Sequence, residues 1–373
     1  MDEQTTEEME RAKSYSRLRQ LLSLADFVYL FVYLAFLLAA GVSAAMAALS
    51  NGLAGPGPAG KALYLIAFIT LMTAATLPLS FYSGYTVEHR FGLSNQTVGG
   101  WLADEGKNLL ISIVITVPLG LGAYWLLAHA LDFWWLYAAL MWTAFGFVLA
   151  YLGPVIIMPL FNKFEPIDSA DLKHDILELA ERARVRVTDV LRTDMSKRTK
   201  KANAFFAGLG NTKRIVLGDT LLLEYSRPEI LTVIGHEMGH WKLGHLWKNT
   251  AARIVGTVGG FYLADRVLRA GAAYFHFSGL DDIAGLPLII LAFMALAVVG
   301  MPATNGLSRR FERQADEFEL DIVRQPEAAI STFKKLARQN LADPSPHPVI
   351  VFLLYSHPPI AERIEMARAF EKS

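Results

Sequence analysis

Read for hydrophobic and polar positions, the chain alternates long uncharged runs with one charged stretch in its middle. Four uncharged runs come first: Phe27–Leu49, Ala62–Tyr85, Leu109–Leu131 and Phe133–Leu160. Each is long enough for a helix to cross the ~30 Å hydrocarbon core of a bilayer. The first 20 residues are hydrophilic and carry Arg11, Lys13, Arg17 and Arg19. A cleavable signal peptide would have a shorter basic start and a shorter apolar core, so the pattern predicts a polar tail followed by a retained span. Pro78, Pro118, Pro154 and Pro159 predict kinks, which membrane helices tolerate where neighbours satisfy the freed carbonyls. Trp134 and Trp135 follow Asp132 in a tight connection, as expected of aromatic side chains at a membrane interface.

From Asn162 to Tyr225 the pattern becomes charged. Asp171–Ala183 has a 3.6-residue period, with Leu172, Ile176, Leu179 and Ala180 on one side; Val185–Leu191, Ile215–Leu217 and Asn203–Phe206 read as short strands. Ser226 then signals a helix start: it can cap free amides, Glu229 completes a capping box, and Pro228 suits the first turn. Beyond this helix, Ile254–Ala264 and Leu286–Val299 return to membrane character, separated by a polar loop with Asp281 and Asp282. Asp265, Arg266 and Arg269 shorten the fifth span, which places them at the interface or facing water inside the bundle. The expectation is a mainly α, polytopic membrane protein of about six transmembrane helices with a small α+β part. Its segments are a tail at 1–20, four spans at 21–161, a soluble segment at 162–248, two spans at 249–305 and a helical C-terminal part of the catalytic domain at 306–373.

Composition supports this picture: 53% of the 373 residues are hydrophobic, too many for an ordinary soluble enzyme. A net charge of zero gives no field that would recruit nucleic acid, and the lipid bilayer is the expected partner. With no cysteine, disulfides, thiolate metal sites and cysteine nucleophiles are excluded. An even number of spans before the soluble segment puts the tail and that segment on one side. Both are rich in Lys and Arg, whereas Gly52–Gly60 and the turn at 131–133 have none. The positive-inside rule makes that side, with both termini, cytoplasmic; Arg266 and Arg269 count against it.

The chemistry lies in His236-Glu237-Met238-Gly239-His240, an H-E-x-x-H pattern on the predicted helix. Residues four apart share a helix face, so His236 and His240 can offer nitrogens to one zinc ion while Glu237, about 100° aside, can take a proton from water. A bland alternative is a helix whose histidines decorate a surface. Zinc hydrolases use three protein ligands, so a third is required. On a continuing helix, His245 sits about 180° from His236 and 140° from His240 and points away. A metzincin extension is excluded, because Leu243 and Leu246 stand where it needs Gly and His. Leu280-Asp281-Asp282 lies in a polar loop, not in the membrane segment that a site-2 type protease requires. Glu312 and Asp316 share a helix face, which suits a ligand and a hydrogen-bond partner for a ligand histidine, yet Arg309, Arg310, Arg313, Glu317 and Glu319 around them also fit a solvated charged helix.

His236 through His245, Ser308 through Asp316, Asn340-Leu341 and Ser356-His357-Pro358-Pro359 through Ile364 together resemble the type I CAAX prenyl protease family of integral-membrane zinc metalloproteases. Leu79 through Thr97 and Pro159 through Phe164 are similar too. The resemblance implies helices around a chamber, a gluzincin-like zinc protease domain and one Zn²⁺ per chain. It makes Glu312 the third ligand, Asp316 a hydrogen-bond partner of a ligand, and His357 and Arg363 stabilisers of the oxyanion beside the general base Glu237. It also implies that Asn203 and Ala204 pair with an extended substrate, a peptide or protein with prenylated and membrane-associated chains among the candidates. Eukaryotic members have a seventh, N-terminal membrane helix, against six spans counted here. The same residues suit a quality-control peptidase with non-prenylated substrates. A non-catalytic transporter or scaffold is the reading of another class, and the presence of Glu237 beside the two histidines speaks against it.

Overall fold

The computed structural model describes residues 3–130, 132–208 and 213–372. Leu131, the expected end of the third span, lies outside them. Among the described residues, five helical stretches are long and apolar enough to cross a membrane: Glu7–Ala39, Pro58–Arg90, Val98–His129, Trp134–Leu160 and Ile283–Val323. The protein is therefore a multi-pass integral membrane protein.

Helix α1 (Glu3–Ala39) is continuous, so the hydrophilic start is part of the first membrane helix and not a separate tail. Its polar half is tied down: Tyr15 Oη donates to Glu88 at 2.6 Å and Arg11 to the carbonyl of Phe91 at 2.6 Å. The expected first span, Phe27–Leu49, is broken. Gly41 takes a left-handed conformation (φ 68°), and a second helix, α2 (Val42–Ala54), follows it. At 13 residues, α2 is about 20 Å long, too short to cross. Helix α3 (Pro58–Ser80) runs through a π-helical turn at Phe81–Thr86 into α4 (Val87–Arg90). That turn starts three residues after Pro78, and a second π-helical stretch, Gly153–Ile157, contains Pro154, so these two prolines disturb the hydrogen-bond ladder as expected. Pro118, in contrast, sits inside the uninterrupted α5 (Val98–His129).

Helix α6 (Trp134–Leu152) opens with Trp134, which is buried and not an interface anchor. Its indole donates to Asp265 at 2.6 Å, and Asp265 also accepts from Arg269 at 2.9 Å and from Arg266. Asp265 thus faces neither headgroups nor water. It is fully buried and paired, as a carboxylate inside a bundle must be.

The soluble segment forms a four-stranded sheet of order β1-β2-β4-β3: β1 (Phe164–Pro166), β2 (Asp189–Thr193), β3 (Ala204–Ala207) and β4 (Arg214–Gly218). Only β2 and β4 pair in parallel. Between β1 and β2 lies α7 (Ala170–Arg182). Val185, expected to begin a strand, instead closes this helix: Arg184 is left-handed (φ 54°) and the Val185 amide donates to the Ala180 carbonyl at 2.8 Å. The strand starts four residues later for that reason. Short α8 (Asp219–Glu224) leads to α9 (Arg227–Lys242), α10 (His245–Tyr274) and the 38-residue α11 (Leu286–Val323). Then come α12 (Pro326–Gln339), α13 (Pro348–Leu354) and α14 (Ile360–Glu371). Helix α10 packs along α6 and α11 as a further bundle helix, although Arg253, Asp265, Arg266 and Arg269 leave it too charged to qualify as a span by composition. Ile176, Val190, Ile215, Leu217, Ile234 and Met238 form the core that fixes α9 to the sheet.

Candidate metal centre

Helix α9 is held at its start and along one side. Its capping box forms, with the Ser226 amide donating to Glu229 Oε2 at 2.7 Å. Ser331 and Lys335 of α12 donate to the same carboxylate, each at 2.7 Å. Burial alone would raise the Glu229 carboxyl, but these donors hold it down at about 2. Gly235 and Gly239, one turn apart, let α11 approach closely. A Cβ on Gly235 would come within 2.7 Å of Val323, and one on Gly239 within 3.0 Å of Ala315. His236 and His240 follow these glycines, so the close approach also sets them beside Glu312.

The three side chains offer ligand atoms that all lie within 4.8 Å of one another, and they could hold a metal ion. The two Nε2 atoms are 3.2 Å apart; His236 Nε2 lies 3.3 Å from Glu312 Oε2, and His240 Nε2 3.4 Å from Glu312 Oε1. Glu312 is buried, and its Oε2 accepts no well-aligned hydrogen bond. A buried carboxylate oxygen without a donor facing two ring nitrogens is the arrangement a cation satisfies. Electrostatics agree. Burial would lower the His236 imidazole, but Asp316 and Glu312 outweigh it and push it up to about 10, whereas His240, desolvated and next to His236, drops to about 4.

Asp316, one turn beyond Glu312, accepts from His236 Nδ1 at 2.7 Å. Arg363 of α14 grips Asp316 with two hydrogen bonds, Nε to Oδ2 at 2.8 Å and Nη2 to Oδ1 at 2.6 Å, over the face of Phe333. His357, in the turn before α14, places Nε2 3.4 Å from Glu312 Oε2. Glu237 is driven up to about 6, chiefly by burial. A cavity of about 150 Å³ opens beside it, lined by Asn203, Ala204, His236, His357 and Arg363 among others. The site residues expected from the sequence therefore come together in one place. Glu317, one of the charges around Glu312 and Asp316, is exposed.

The expectation for His245 is overturned. Helix α9 stops at Lys242, Gly244 turns left-handed (φ 69°), and α10 begins at His245. The imidazole comes back to the site, with Nδ1 3.0 Å from His240 Nδ1 and Nε2 3.0 Å from Gln314 Oε1. Gly244 just past a helix end was the signal for this stop. Glu319 was also not singled out: it lines the cavity, and among the described residues neither of its carboxyl oxygens has a hydrogen-bond partner.

Comparison with known proteins agrees with this geometry. Residues 166–371 match the model of peptidase family M48, and residues 1–163 match that of the CAAX prenyl protease N-terminal region, five membrane helices. The chain is 36% identical over 315 residues to the uncharacterized metalloprotease YhfN of Bacillus subtilis, covering 83% of this chain and 73% of that protein. It is 30% identical over 366 residues to the human CAAX prenyl protease 1 homolog, covering 86% and 77%. The crystal structure of S. mikatae Ste24p superposes with a TM-score of 0.85 at 26% identity, covering 96% of this chain and 88% of that one. A histidine pair and a buried glutamate brought together by two helices, within a chain spanned almost end to end by these two models, place the protein in peptidase family M48: it belongs to that family and is a membrane-embedded metalloprotease.

Proposed function

We propose that the protein is a zinc endopeptidase in which His236, His240 and Glu312 hold one Zn²⁺. The observation that carries this reading is the approach of two imidazole Nε2 atoms to the buried Glu312 carboxylate, whose Oε2 accepts no well-aligned hydrogen bond among the described residues. Two nitrogens and one oxygen suit zinc and leave a coordination position open. Bound there, the ion would supply a Lewis acid that polarises the scissile carbonyl and makes water a nucleophile at neutral pH.

The chain's own residues do the rest. Glu237, beside the pair and shifted toward neutrality by burial, takes the proton of the attacking water and returns it to the leaving amine. His357 and Arg363 donate to the developing oxyanion. Arg363 commits Nε and Nη2 to Asp316, so Nη1 is its nitrogen left for this role. Strand β3 stands at the end of the sheet order, so its outer edge can take up an extended substrate next to Asn203 and Ala204. Substrates are peptides or proteins. The human relative's name as a CAAX prenyl protease supports prenylated C-termini among them. Both termini and the catalytic part face the cytoplasm.

Cleavage by detergent-purified protein tests the reading. Glu237→Gln should keep its metal and lower turnover by on the order of a hundredfold or more. Near-normal cleavage by the metal-loaded variant would remove Glu237 as the base. Matched C-terminal peptides with and without a prenyl group decide the substrate question.

A further inference from the structure

His236 and His240 are supported on their far sides by different chemistry. His236 rests on a carboxylate, Asp316, clamped by Arg363, whereas His240 rests on another imidazole. From this contrast we propose that His245 is a positioning residue that fixes the tautomer and the ring orientation of His240; the proposal rests on His240 being a metal ligand.

Two hydrogen bonds determine the protons along this line. His240 turns Nε2 toward His236 Nε2 and Glu312; as a metal ligand through that nitrogen it presents a lone pair there, and the ring proton sits on Nδ1. Its contact with His245 Nδ1 at 3.0 Å is then a bond that His240 donates. His245 accepts on Nδ1, carries its own proton on Nε2, and donates that proton to Gln314 Oε1 at 3.0 Å. The line ends at a neutral amide, and with His240 ligating through Nε2 this assignment keeps both rings neutral. His245 has no freedom to do otherwise. It is 1% exposed, and its ring stacks on Phe311 with centroids 4.4 Å apart and planes 13° from parallel. Phe311 and Gln314 belong to α11, which also carries Glu312, so one helix positions a ligand and the support of another. The left-handed Gly244 is what brings His245 into place three residues after the end of α9.

The rate of zinc release to excess chelator, from zinc-loaded protein in detergent, tests this without relying on peptidase activity. His245→Phe keeps a ring against Phe311 but offers no acceptor, so zinc should leave about 10- to 100-fold faster. His245→Asn returns an oxygen near the position of Nδ1 and should restore the rate to within about threefold, at an unchanged melting temperature of the zinc-free protein. Release from His245→Phe at the wild-type rate overturns the proposal. So does His245→Asn losing zinc as fast as His245→Phe, because the residue would then act by packing alone. If His245→Phe does not fold, Gln314→Leu removes the last acceptor of the line; faster release by about threefold or more supports the proposal and an unchanged rate overturns it. Wild-type protein that takes up no zinc would overturn the metal-site reading itself, and this inference with it.

Discussion

Glu229 shows how much can hang on one side chain. It caps α9, accepts from Ser331 and Lys335 on α12, and so joins the helix that carries both histidines to its neighbour. Its folded value of about 2 lies below the usual 4.5, so its contribution to stability is present above pH 4.5 and is lost as the pH falls toward 2. That contribution is on the order of 3 kcal/mol. Glu229→Gln should therefore melt lower at pH 7 and lose less stability than the wild type between pH 5 and pH 3. Parallel pH profiles for the two proteins would contradict it. The Ser226–Glu229 spacing made this cap legible in the sequence, because a capping box is local. The lysine and serine that complete it were not, since they come from about 100 residues away in the chain. His245 was missed for a different reason: angles around a helix were extended past a glycine that ends it. The role of Glu312 needed more than its spacing from Asp316, because a charged helix in water carries the same pattern.

Among the elements, long uncharged runs proved the most legible, because a bilayer demands them wherever the chain crosses. Their ends were less so. Gly41 stops α1 where the apolar run continues, and the charged residues before Phe27 prolong the helix where the run has not yet begun. Helix α10 is the informative case: buried Asp265 with its arginines and Trp134 makes it look less like a span, while its packing against α6 and α11 places it in the bundle. Counting it with the five apolar helices gives six crossings, an even number, which returns the chain to the side of α1's basic start. A reporter fused to the C-terminus should thus be cytoplasmic, as should one fused to the N-terminus. Labelling of both ends from outside intact cells would invert the orientation, and labelling of one end alone would remove α10 or another helix from the count.

At the scale of the whole molecule, α11 connects bilayer and chemistry. Its first half is a membrane span and its second half carries Glu312, Gln314 and Asp316, along one helix of about 57 Å. Where α11 meets α9, at Gly235 and Gly239, the zinc ligands of the account are assembled from both. That meeting was invisible to any local pattern, since α10 and the rest of residues 243–285 lie between the two helices. The proposed chemistry depends on the metal held there. Elemental analysis of detergent-purified protein measures it directly: one zinc per chain is expected in the wild type and in Glu237→Gln, with loss of zinc in His236→Ala and in Glu312→Ala. Wild-type protein without zinc, or Glu312→Ala protein with a full complement of it, would contradict the site described above.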